Sequence, residues 1–153
     1  MKRYFCDTSA LIKLYHAEIG TDVMDSVFGS RDISVIISEL TMIEFYSALA
    51  KKLRVGEICQ EARQEGIRNF DKDCRDRFII RLLDRTVVKT ARELIVRHGN
   101  RFSIRTLDAI QLSACLSEKS DRFVCADTNL IKIALSEGIA VLNPEFTATA
   151  GKT

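Results

Sequence analysis

Four acidic residues, Asp7, Glu44, Asp108 and Asp127, carry the chemistry for which this sequence can be read. Asp7 follows a short apolar run in FCDTSALIK, and Asp127 repeats the pattern in FVCADTNLIKIAL, so each stands where a strand gives way to a helix. In open α/β sheets, ligands bind at the carboxyl ends of strands. An aspartate at such a junction is equally suited to capping the following helix, and each residue taken singly is open to both readings. Asp108 has Ile104, Leu112 and Cys115 as helical-wheel neighbours, which puts its carboxylate in an apolar stripe. A carboxylate there acquires a partner or becomes neutral. Arg105 is the structural candidate for that partner, and a functional role is the other reading. Glu44 has the weakest case by periodicity. Its neighbours Leu40, Ser47, Ala48 and Lys51 form the less apolar side of a helix, opposite Met42, Tyr46, Leu49 and Leu53. That is the place of a solvated glutamate, with small residues leaving room toward something polar.

Taken together the acids pose an electrostatic problem. Two like charges about 5 Å apart repel by roughly 3 kcal/mol at an effective dielectric near 20, so a converged cluster opposes folding unless cations neutralise it. Oxygen-only donors suit hard divalent ions, and magnesium takes one or two carboxylates while keeping several waters. An ion held in this way can lower the pKa of a water and orient it toward a phosphodiester. His16 and His98 lie far apart without ligand spacing and are expected at the surface. The five cysteines are odd in number, lack a C-x-x-C pair and read as reduced, small hydrophobes. Magnesium or manganese is therefore favoured over zinc.

The elements that must position these acids follow from pattern. Short strands are expected over residues 2–6, 33–37, 77–82, 122–126 and 139–142. Helices are expected over 9–15, 21–28, from Ser38 to about 53, and over 57–72, 86–97, 103–116 and 128–137, with Ser38 as a cap and His98-Gly99 and Gly138 as stops. Alternating short strands and helices imply a parallel sheet covered on both faces. At 153 residues, 46% hydrophobic and 29% charged, the chain suits one domain over residues 1–145, with 146–153 a loose tail. No apolar run approaches the roughly 18–20 residues that cross a bilayer, and the N-terminus does not read as a secretory signal. The expectation is a soluble, cytoplasmic protein without a membrane partner. The formal charge is +2; with the four acids set aside, 17 acidic residues remain against 23 basic ones, a surface balance of +6 that suits a polyanion.

Four ordered phrases, CDTSALIKLY, ISELTMIEFYSALAKK, FSIRTLDAIQLSACL and FVCADTNLIKIALSEGIAVLNP, closely resemble the PIN-domain ribonucleases, specifically the VapC-type toxins of toxin–antitoxin pairs. The resemblance implies a PIN-like three-layer α/β/α sandwich and a site built from Asp7, Glu44, Asp108 and Asp127. By family analogy Asp7 and Asp108 are direct ligands of magnesium or manganese, Asp127 joins directly or through water, and Glu44 orients a water or acts as base. Ser9 supports the site or caps a helix. Ala126 departs from the hydroxyl residue that many relatives carry there. The resemblance further implies a homodimer, a cognate antitoxin whose C-terminal segment enters the groove, and structured RNA such as transfer RNA as substrate. Arg75, Arg77, Arg81, Arg85, Arg97, Arg101 and Arg105 are candidate phosphate contacts. The competing reading is a catalytically silent PIN-like module that binds RNA or protein. A dehalogenase-like phosphatase would need a second acid where Ser9 stands, and a receiver domain an acidic pair that CDTS lacks.

Overall fold

The computed structural model describes residues 1–146; all of the expected tail except Phe146 lies outside the described residues. Strands β1 (Lys2–Cys6), β2 (Ile33–Ser38), β3 (Ile79–Arg81), β4 (Arg122–Val124) and β5 (Val141–Leu142) run parallel in the order β3-β2-β1-β4-β5. Successive side chains point to opposite faces, and here both faces are apolar. Phe5, Ile36, Phe123 and Cys125 enter one core cluster with Leu94, Leu112 and Ile133, while Cys6, Val35, Ile37 and Val124 enter another with Leu11, Phe45 and Phe70. Such two-sided burial is the mark of a parallel sheet between helical layers.

The first layer contains α1 (Thr8–Leu11), which continues into a 3-10 turn, together with α2 (Thr21–Gly29), α3 (Glu39–Arg54) and α4 (Gln60–Asp76). The second contains α5 (Arg85–His98), α6 (Thr106–Glu118) and α7 (Thr128–Ser136). Stacked rings of Phe45 and Phe70, 4.0 Å between centroids, join α3 to α4. Ser113 Oγ donates to the Val87 carbonyl at 2.6 Å and ties α6 to α5.

The departures from expectation are local. α4 begins at Gln60 and runs to Asp76 because Cys59 caps it, its Sγ accepting from Ala62 N at 3.4 Å. Cys59 is thus an exposed cap rather than a small core residue. α6 starts three residues later than the periodicity suggests. Arg105 is still extended (φ −81°, ψ 152°), and the Ser103 carbonyl is taken by Asn129 Nδ2 at 2.6 Å. β4 ends at Val124 because Ala126 N turns out of the ladder to Ser9 Oγ. His98 is no surface residue: its side chain is 12% exposed and its Nε2 lies 2.9 Å from Glu137 Oε1.

Candidate active site

The sheet order reverses at β1, whose neighbours are β2 on one side and β4 on the other. A crevice opens outside the carboxyl ends of strands at such a switch point. Cys6 pairs with Val124 in register, so Asp7 and the Cys125–Asp127 segment emerge side by side at that edge, and Asp7 N donates to the Val124 carbonyl at 3.1 Å.

Both strand-ending aspartates cap helices, and each divides its oxygens between two tasks. Asp127 Oδ1 accepts from Leu130 N at 3.0 Å at the start of α7, while Oδ2 lies 3.3 Å from Arg105 Nη2. Asp7 Oδ1 accepts from Ala10 N at 3.2 Å and from Ser9 Oγ at 2.7 Å; Oδ2 faces the Cys125 thiol at 3.3 Å. Ser9 also accepts from Ala126 N at 3.0 Å, so its hydroxyl bridges the ends of β1 and β4. That contact uses the backbone of residue 126, and the alanine side chain does not interrupt it. Asp108, in the first turn of α6, pairs with Arg105 at 2.8 Å. This position suits a carboxylate because the helix N-terminus carries partial positive charge. The internal ion pair anticipated for Asp108 is therefore present, and the same guanidinium reaches Asp127.

Glu44 lies on a different face from the expected one. The buried stripe of α3 is Leu40, Thr41, Phe45 and Leu49, whereas Met42 and Tyr46 point outward. Tyr46 donates to Asp71, which explains why its ring is not in the core. Glu44 flanks this stripe half-buried. Its Oε1 accepts from Thr8 Oγ1 at 2.9 Å and from Gln111 Nε2 at 2.7 Å. Thr8, Thr41, Gln111 and Cys125 were missed in the sequence. The only available signal was polar Gln111 inside the apolar run of α6.

Burial pushes the Asp7 carboxyl up to about 6, opposed by hydrogen bonds from Ser9, Cys125 and Ala10 and reinforced by the negative charge of Glu44. Burial also drives the Cys125 thiol upward, with the Asp7 charge adding to it, so the sulfur remains a protonated donor. Hydrogen bonding and charge from Asp108, then the charges of Asp127 and Glu44, hold Arg105 firmly protonated. Arg105 is 73% exposed, and its pairing is correspondingly weak. Asp7 is only 5% exposed and has no cationic partner among the described residues. A buried carboxylate served by three neutral donors, with the Asp127 segment alongside and the charge of Glu44 acting on it, fits a hard divalent cation completed by water. Among the described residues no three His, Cys, Asp or Glu side chains converge closely enough to enclose an ion as they stand.

Of the arginines considered for phosphate contact, Arg81, Arg97 and Arg105 are held in the protein's own ion pairs. Arg77 donates to the Phe28 carbonyl and covers its ring. No helix among the described residues is long and apolar enough to cross a membrane.

A parallel sheet of this order, sandwiched between helices and carrying acids near its switch point, is a PIN-like three-layer α/β/α sandwich. The chain belongs to the PIN domain family, whose model matches residues 4–135. No curated protein matches it by sequence. Its fold is similar to that of VapC20 from Mycobacterium tuberculosis, described as a sarcin-ricin loop cleaving toxin (TM-score 0.67, 15% identity, 84% of this chain and 93% of that one). It is also similar to VapBC2 from Rickettsia felis, solved on a promoter DNA fragment (0.65, 14%, 92% and 98%), and to PAE2754 from Pyrobaculum aerophilum (0.65, 19%, 99% and 97%).

Proposed function

We propose that this protein is a metal-dependent endoribonuclease, the VapC-type toxin of a type II toxin–antitoxin pair. The observation that carries this reading is the crevice at the β1–β4 switch point, where Asp7, with no cationic partner among the described residues, lies beside Asp127 and within the field of Glu44. Asp7 and Asp108 would hold magnesium or manganese, with Asp127 joining directly or through water. A bound divalent ion supplies Lewis acidity and charge neutralisation at a phosphodiester. Ser9 and Cys125 keep Asp7 oriented, and Glu44 orients the attacking water or accepts its proton. VapC20 is described as cleaving the sarcin-ricin loop, which supports RNA as the substrate class here, and the VapBC2 assembly supports an antitoxin as partner. Homodimerisation follows from the same family reading.

A second reading, the silent binding module, draws on the Arg105 bridge between Asp108 and Asp127 and on the lack of a closed carboxylate cluster among the described residues. Cleavage of total RNA by purified protein with magnesium or manganese separates the two. Discrete fragments that disappear with EDTA and in Asp7→Asn are expected. Metal-loaded protein, free of any bound partner, that leaves RNA intact would favour the binding module.

A further inference from the structure

Gln111 is 2% exposed in the most apolar stretch of α6, between Ala109 and Leu112, where the pattern calls for an apolar side chain. Its amide reaches out of α6 to α3 and α1. Nε2 donates to Glu44 Oε1 at 2.7 Å and to Thr41 Oγ1 at 2.8 Å, with Thr8 Oγ1 a longer 3.3 Å away. The other end of the amide is orphaned: Gln111 Oε1 is buried without a hydrogen-bond partner. A buried acceptor left unpaired opposes folding, whereas an apolar residue of similar shape would not. Stability therefore does not explain this glutamine, and the direction of its N–H groups does. Thr8 Oγ1 donates to the same carboxylate oxygen at 2.9 Å, so Glu44 Oε1 is held from two elements. Glu44 Oε2 takes no hydrogen bond among the described residues.

We propose that Gln111 is a positioning residue. With Thr8 it fixes Glu44 by one oxygen and presents the other to the reacting centre; the catalytic half of this statement rests on the nuclease reading above. Groups that orient a functional carboxylate in this way are typically worth about 10–100-fold in activity.

The test is Gln111→Leu, assayed with manganese on an RNA hairpin carrying a cut site mapped in total RNA. A fall in kcat of about 10–100-fold with KM unchanged is expected, and no further fall when Gln111→Leu is added to Glu44→Gln, because the group it orients is already disabled. An unchanged kcat, or an equal fall in both backgrounds, overturns the proposal. Urea titration of metal-free protein gives a readout independent of activity. Gln111→Leu should raise the midpoint more in a Glu44→Ala background than in the native chain, since only the native chain loses a bond to the carboxylate. Equal shifts would show that Gln111 does not hold Glu44. If native protein cleaves no RNA with either metal, the nuclease reading falls by itself, and the urea comparison still decides the contact.

Discussion

Burial holds the Asp7 carboxyl at about 6 in the folded protein, against an ordinary value of 3.8. Between about pH 4 and 6 the folded state therefore binds a proton more tightly than the unfolded chain does. The stability linked to that proton is present at pH 4 and is lost as the pH rises through 6. The loss amounts to about 3 kcal/mol at most. Asp7→Asn abolishes this dependence, so in metal-free protein its urea stability relative to the native chain should climb between pH 4 and 6 and level off above. A flat difference would show that Asp7 is not strained by burial. At Arg105 the prediction concerns a competing cation. Its exposed guanidinium neutralises Asp108 and Asp127, and Arg105→Gln should tighten manganese binding in calorimetry by up to about fivefold, the scale of an exposed pair. Weaker binding in the variant would instead make Arg105 part of the metal's support.

α3 positions Glu44 only as firmly as α3 is itself anchored, and the anchor is the Phe45–Phe70 stack within a fully buried cluster. Phe70→Ala should cost about 3–5 kcal/mol in a urea titration. It should also lower cleavage under conditions where the fold is intact; full activity in the folded variant would show that α4 does not steady Glu44. This element also marks how far the sequence could be read. The helix starts at Asp7, Ser38 and Asp127 were legible because a cap-type residue follows an apolar run at each. The face of α3 was not. Met42 and Tyr46 are apolar enough to pass for core, yet Tyr46 is drawn outward by Asp71, a residue on another helix. The clamp on Glu44 was equally hidden, because Gln111 and Thr8 reach it from 67 and 36 residues away and local periodicity carries no trace of such pairings.

Over the whole molecule, the acids gathered at one sheet edge leave a basic balance elsewhere, but most of the candidate arginines are already engaged. Arg75, Arg85 and Arg101 are exposed and make no ion pair among the described residues. Binding of single-stranded RNA should accordingly weaken with salt with a slope of about −2 on logarithmic axes, the value for about three phosphate contacts. A slope near zero would remove these arginines from the interface, and Arg85→Ala should flatten the measured slope if Arg85 is one of them.

The pairing of β1 with β4 has a consequence for how the molecule comes into being. Asp7 is translated 118 positions ahead of Cys125, its sulfur donor, which stands just before Asp127. A nascent chain that stops before β4 lacks the β1–β4 pair, and with it the crevice at the carboxyl ends of those strands. A translation product broken off before β4 would therefore carry Asp7 without the Cys125 thiol and the Ser9–Ala126 contact that hold it in the folded protein.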